Sequence, residues 1–227
     1  MYPSPTAIPP GSTIPQLKFF SKLDRMTGIP FRGLPDEDND RHGIYLARIP
    51  SGTPGDSSTK DVLVKFTAKY NEIAHRLLAN QNPPLAPALY SCTPVIGGLY
   101  MVVMEYESNA SPLHRFILPP GSPLPDPPSP EVLRRDLTKA LNLPHGQDLV
   151  FCDLRSANIP YSPKDERSLL VDFDGVGKHG ESRYSPCLNT ELGLGVDRWQ
   201  IMEKSHDLMN LERVMEWLHV NLQASKS

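Results

Sequence analysis

The stretch DLVFCDLRSANIPYSPKDERSLLVDFDG, residues 148–175, decides how the rest of the chain is read. Two short apolar runs, Leu149-Val150-Phe151 and Leu169-Leu170-Val171, lead into Asp153 and Asp172, and Asn158 follows the first aspartate by five residues. Apolar runs of this length, bounded by turn residues, predict strands. The polar set is what transfer of a phosphoryl group demands. Little covalent work falls to the protein in such a reaction; it must set a hydroxyl beside a carboxylate and hold magnesium on a triphosphate with oxygen ligands. Asp153 suits the first task. The amide oxygen of Asn158 and the carboxylate of Asp172 suit the second, since a hard cation accepts both and completes its shell with waters and phosphates.

Asp153-Leu154-Arg155-Ser156-Ala157-Asn158 resembles the catalytic loop of the protein kinase-like superfamily, and Asp172-Phe173-Asp174-Gly175 resembles its magnesium-binding DFG turn. The 19 residues from Asp153 to Asp172 leave room for a loop, a strand, the turn Ser162-Pro163-Lys164-Asp165 and a second strand. More narrowly, from Val62 to Leu218 the chain resembles fungal kinase-like proteins with a VxxDLRxxNI loop. The resemblance implies an α+β, two-lobed protein kinase-like fold, with an N-lobe antiparallel sheet plus one helix and a shortened helical C-lobe. It also implies ATP and Mg2+ as cofactors, Asp153 as base, Arg155 neutralising charge on the transferred phosphate, and Asn158 and Asp172 on the metal.

With 227 residues and 39% hydrophobic content, the chain can build a core. No apolar run approaches the length of a membrane span, and the N-terminus MYPSPTAIPPGSTIPQ lacks the basic start and apolar middle of a secretory signal. Cys92, Cys152 and Cys187 show no metal spacing and predict reduced thiols in an intracellular, cytoplasmic protein. The net charge of -3, with no basic stripe, argues against a nucleic-acid partner, and no membrane partner is expected. Proline, 25 residues of 227, indicates much extended or looped backbone.

The predicted organisation is a poorly ordered Pro-rich arm over 1–40, an N-lobe over 41–107, a hinge and Pro-rich insert over 108–130, and a shortened C-lobe over 131–227. Within the arm only Leu17 to Leu23 shows helical spacing, and the acidic cluster Asp36 to Asp40 lacks the turn glycine of a calcium loop, Arg41 standing in its place. Ile44 to Ile49 and Asp61 to Phe66 read as a hairpin, with Lys65 inside an apolar strand where a charge needs a partner. The kinase resemblance makes Lys65 the lysine on the α- and β-phosphates. Tyr70 to Asn80 reads as a helix with apolar positions 70, 73, 74, 77 and 78, and its Glu72 is the candidate partner for Lys65. Leu89 to Cys92 and Leu99 to Met104 give two more strands. The second resembles the strand entering the hinge, placing Met104 near the adenine and the backbone of Glu105, Tyr106 and Glu107 along its edge.

Ser129 caps a predicted helix with Val132, Leu133, Leu137, Ala140 and Leu141 as its buried stripe, ending near Pro144. Gly175 to Gly180 matches GxGxxG, but ESRYSPCLN after it opens no helix, so the glycines read as the start of an activation-type segment rather than a dinucleotide site. Ser205 to Leu222 reads as a helix with Leu208, Leu211, Val214, Met215, Leu218 and Leu222 on its core face. Its Asp207 resembles the aspartate that braces the kinase catalytic loop by accepting backbone N–H bonds.

The chain departs from the family at Phe151, where a histidine is usual, at Cys152, and in the spacing of Gly28, Gly33 and Gly43, which makes no phosphate-covering turn. Two functional readings follow. One is an ATP- and Mg2+-dependent phosphotransferase acting on a protein hydroxyl; the other is a pseudokinase serving as a nucleotide- or protein-binding module.

Overall fold

Strand residues that alternate between two faces build the first part of the molecule. The computed structural model describes residues 2–9, 14–23, 43–50, 58–116, 127–189 and 194–224. The acidic cluster Asp36 to Asp40, Gly28, Gly33 and most of the Pro-rich insert lie outside the described residues. The chain divides into two units, Met1–Tyr70 with Pro87–Glu107, and Asn71–Ala86 with Ser108–Ser227.

The first unit is a five-stranded antiparallel sheet of β1 (Lys18–Lys22), β2 (Gly43–Pro50), β3 (Thr59–Thr67), β4 (Leu89–Val95) and β5 (Leu99–Glu105), in the order β1-β2-β3-β5-β4. Val62 and Val64 join Ala47, Ile49, Val95, Met101 and Val103 in a buried cluster on one face. Their neighbours Leu63 and Lys65 point to the opposite face, as the period of two requires. There Lys65 is in register with Ile44 and Val102, and Leu63 with Met104. Leu89, Val102 and Met104 form the buried cluster of that second face.

Within the stretch expected as a poorly ordered arm over residues 1–40, the helical spacing of Leu17 to Leu23 is corrected: Lys18–Lys22 is strand β1. Phe19 packs on the buried cluster, and the guanidinium of Arg48 lies 4.7 Å from the ring centroid of Phe20. The ladder with β2 is interrupted by a bulge between Phe19 and Ser21. Five residues with a bulge give too little alternation to announce a strand between prolines.

The second unit holds α1 (Glu72–Ala79), α2 (Pro130–His145) and α3 (Lys204–Ala224). With them are the short strands β6 (Ser111–Pro112), β7 (Leu149–Val150), β8 (Pro160–Ser162), β9 (Arg167–Ser168) and β10 (Gly177–Lys178). Asn71 caps α1, its side chain accepting the Ala74 N–H at 3.0 Å. The buried face of α1 is Ala74, His75 and Leu78, whereas Ile73, read as part of the apolar stripe, is 72% exposed. Although read with the N-lobe, α1 groups with the second unit.

Ser129 caps α2 through Val132 N–H at 3.2 Å with Pro130 in the first turn, an arrangement that suits proline because the N–H it lacks would have no helical partner. Along α3 the buried positions are Asp207, Asn210, Leu211, Val214, Met215 and Leu218, while Leu208, assigned to the core face, is 48% exposed. The apolar run Leu169 to Val171 forms no ladder. Its N–H groups donate separately to the carbonyls of Pro160 (2.8 Å), Leu85 (2.9 Å) and Asn158 (3.1 Å), so it is extended chain tied to three neighbours. Cys92 is half-buried, Cys152 buried and Cys187 exposed, all three as free thiols.

One buried polar contact fastens α2 to β9. Asp136, 6% exposed, accepts the Ser168 N–H at 2.8 Å. Asp136→Ala removes the acceptor and leaves a buried N–H unpaired, a loss of about 1–3 kcal/mol. We expect the urea midpoint to fall with an unchanged slope; an unchanged midpoint would refute the assignment.

Candidate active site

The approach to Asp153, the first of the two candidate aspartates of the second unit, is fixed through backbone N–H groups. Strand β7 pairs with β10, Val150 opposite Gly177, and delivers Phe151 and Cys152 to the carboxylate of Asp207. The Phe151 N–H donates to Oδ2 at 2.7 Å and the Cys152 N–H to Oδ1 at 2.8 Å. His145, in the last turn of α2, places Nε2 2.8 Å from the same Oδ2. Asp207 is fully buried, so these three contacts replace its water. Cys152 adopts φ +71°, which turns the chain that follows, beginning with Asp153, after both N–H groups have been given to Asp207.

Asp153 is bonded at both oxygens. Arg155 Nε donates to Oδ1 at 2.8 Å, and Asn158 Nδ2 donates to Oδ2 at 2.8 Å and to the Asp153 carbonyl at 3.0 Å. Those two bonds spend the Asn158 amide nitrogen and turn its Oδ1 away from Asp153. Burial pushes the Asp153 carboxyl above the ordinary aspartate value, against the attraction and hydrogen bond of Arg155, and the charge of Asp172 adds to the rise.

Asp172 also occupies the left-handed region, at φ +72°. Such positions cost about 1–3 kcal/mol and persist where neighbours fix them. Here the neighbours are aromatic. Phe173 stacks on His75 at 4.6 Å and 8° and meets Phe151 edge-on at 5.6 Å and 82°. The Phe173 carbonyl accepts the Asn71 N–H at 3.1 Å. A Cβ on Gly175 would collide with Cys152 Sγ, so only glycine lets this turn approach the loop before Asp153.

The remaining candidates belong to the first unit, with one exception. Lys65 is half-buried on the sheet face that carries Leu63, Val102 and Met104. Met104 is 5% exposed at the end of β5, Glu105 is exposed and Tyr106 half-buried. The Glu105 N–H donates to Ala88 O at 2.8 Å, which commits that hinge donor within the sheet unit. The exception is Glu72, which lies in the second unit and whose carboxylate pairs with Arg76 Nε at 2.7 Å along α1.

For a cation, the second unit offers an amide oxygen and a carboxylate, Asn158 and Asp172. Among the described residues no group of three or more His, Cys, Asp and Glu is placed to hold a metal. That donor set fits magnesium carried on a triphosphate, whose oxygens and waters fill most of the shell, and does not fit a metal held by protein alone. Sequence reasoning missed His75, Asp136 and the Glu72–Arg76 pair. His75 looks like a polar interruption of a helix, and only its position one residue from Ala74 and three from Leu78 hints at the buried face.

No family model matches the chain, and no curated protein matches it in sequence. The fold itself, an α+β arrangement of a five-stranded antiparallel sheet with a small helical part, is protein kinase-like. Among solved structures the chain is similar to the kinase PK-1 of the Cydia pomonella granulovirus, with a TM-score of 0.62 and 17% identity over 88% of this chain and 69% of that one. At that identity the likeness shows the fold alone. Among the described residues no helix is long and apolar enough to cross a membrane.

The Asp153 carboxyl provides a direct check on the site. We expect its carbon resonance to titrate above the ordinary aspartate range, and Arg155→Gln to move it further up, because Arg155 favours the ionised form. The folded state then holds the proton more tightly than the unfolded chain. Asp153 therefore adds stability only below the ordinary carboxylate range and loses it as pH rises through the folded value. A titration at or below the ordinary range, or a downward move in Arg155→Gln, would contradict this.

Proposed function

We propose that the chain is an ATP- and Mg2+-dependent phosphotransferase of the protein kinase-like superfamily, acting on a hydroxyl of a protein substrate inside the cell. The observation that carries this reading is the closed set Asp153, Arg155 and Asn158 on a loop braced by Asp207. Asp153 takes the proton of the acceptor hydroxyl as the new O–P bond forms and the bond between the β- and γ-phosphates breaks, ADP leaving. A carboxyl raised by burial is a better match to that proton than an ordinary aspartate. Arg155, whose Nε lies 2.8 Å from Asp153 Oδ1, would neutralise charge that develops on the transferred group. Asn158 and Asp172 would hold magnesium, which neutralises phosphate charge when bound. Lys65 would hold the phosphates, and Met104, Glu105 and Tyr106 would line the adenine. The loop DLRSAN is closer to protein kinase loops than to the HGDxxxxN form of small-molecule kinases, which favours a protein acceptor.

A second reading, a pseudokinase that binds nucleotide or protein without turnover, has its own support. Glu72 is engaged by Arg76, and Leu63, two residues before Lys65, stands where the V-A-I-K pattern has alanine.

Melting with and without Mg·ATP separates the two readings from no site at all. A ligand at 100 times its dissociation constant stabilises by about 2.7 kcal/mol. We expect the wild type to shift and Asp172→Ala not to shift. Asp153→Asn should shift like wild type but lose turnover on a protein substrate by about two orders of magnitude or more. Binding with equal, negligible turnover in both would favour the pseudokinase reading; a cooperative melt with no shift would end both nucleotide readings.

A further inference from the structure

A sheet offers backbone groups at its two edges, and here one segment bonds to one edge strand and lays a ring on a side chain of the other. The edge strands of the first unit are β1 and β4. The Tyr2 ring stacks on Phe19 of β1 with centroids 6.2 Å apart and planes 16° from parallel. Five residues on, Ala7 makes a one-residue antiparallel bridge with Val95 of β4. The Ile8 N–H donates to Pro94 O and the Ile96 N–H to Thr6 O, both at 2.9 Å. Phe19 meets Tyr45 edge-on at 5.7 Å and Tyr45 meets Phe66 edge-on at 6.0 Å, and this aromatic row packs on Ala47, Val62, Val64, Met101 and Val103, each 0% exposed.

The segment itself is lightly held. No residue of Tyr2–Pro9 is buried, Tyr2 is 48% exposed and Ile8 44%. Pairing is confined to a single bridged residue, with Pro5 and Pro9 on either side of it. Its occupancy therefore owes more to being tethered, at a high effective concentration, than to the contacts it makes.

We propose that the β4 edge from Pro94 to Ile96 is a strand-addition site for extended peptides. Thr6–Ile8 fills it as an internal ligand, and a segment of a partner protein displaces that ligand. The fitting chemistry is read from the occupant: a small residue at the bridged position, an apolar residue after it, prolines on either side, and an aromatic ring to lie on Phe19. Backbone bonds supply the binding, and the neighbouring side chains supply the selectivity, as in other strand additions.

The probe is a fluorescein-labelled synthetic peptide with the sequence of residues 1–9, followed by anisotropy. Tyr2→Ala/Ile8→Pro in the full chain removes the ring stack and the donor to Pro94, and should bind the peptide about tenfold or more tighter than wild type does. Adding Ile96→Pro, which deletes the site's own donor, should abolish that gain. Equal binding by wild type and the double variant, binding that survives Ile96→Pro, or a concentration-dependent dimer in place of peptide binding would each overturn the proposal. Should the double variant fail to melt cooperatively, amide exchange of the wild type decides. The Ile96 N–H, held by Thr6, should exchange about tenfold or more faster than that of Val103 within the sheet, and equal rates would overturn the proposal.

Discussion

A carboxylate with no exposure to solvent, that of Asp207, is the constraint on which the second unit depends. An ion removed from water costs several kcal/mol unless hydrogen bonds replace its hydration. Three donors do so, the N–H groups of Phe151 and Cys152 and the ring of His145. Asp207 also lies in the first turn of α3, where the helix end favours negative charge. The bond is mutual. The loop that satisfies the carboxylate takes a left-handed turn at Cys152, and that turn sets the direction in which Asp153 leaves. Leu211, Val214, Met215 and Leu218 bury the rest of α3, so the loop is anchored to a helix that cannot shift without opening the core.

Above that anchor the site accumulates unfavourable terms. Asp153 is half-buried and feels the charge of Asp172, while Cys152 and Asp172 both take positive φ. Each is tolerated because something adjacent over-determines it. Arg155 and Asn158 bind both oxygens of Asp153; His75, Phe173 and Phe151 clamp the turn at Asp172; and the missing side chain at Gly175 admits Cys152. Costs of this kind, concentrated in one loop and one turn and offset by a rigid base, are what separates a site from ordinary core.

The parts of this arrangement legible in the sequence are those where chemistry fixes residue type and spacing together. Asp153, Asn158 and Asp172 stand out because few structures need an amide and two carboxylates at the ends of apolar runs. The strands β2, β3 and β5 stand out because each face of a sheet writes its pattern every second residue. Ser129-Pro130 announces α2 through local capping. What stayed hidden is long-range. His75 is polar in the chain but is core because Phe173, almost a hundred positions on, offers it a ring face. Asp136 is a helix residue whose partner, the Ser168 N–H, belongs to another element. Leu208 fits the apolar period of α3 and still faces outward, because a period says which residues share a face and not how wide the buried part of that face is.

The same limit explains β1 and the segment before it. Val62, Val64, Met101 and Val103 against Leu63, Val102 and Met104 declare a sheet that is apolar on both faces, and each such face must be covered. Alternation cannot say by what. For the face built on Val62 and Val64, part of the cover is the Pro-rich beginning of the chain, with Ile14, Leu17 and Phe19 packed on the cluster. Prolines and short apolar stretches there read as an arm because they carry no period of their own. Their order is borrowed from the sheet beneath, whose apolar face gains more from being covered than the segment loses by being fixed. Lys65 shows the complement on the other face. Its half-buried side chain lies on the face of Leu63, Val102 and Met104, so a charge stands there among apolar neighbours, and the period of two that places it says nothing of what it meets.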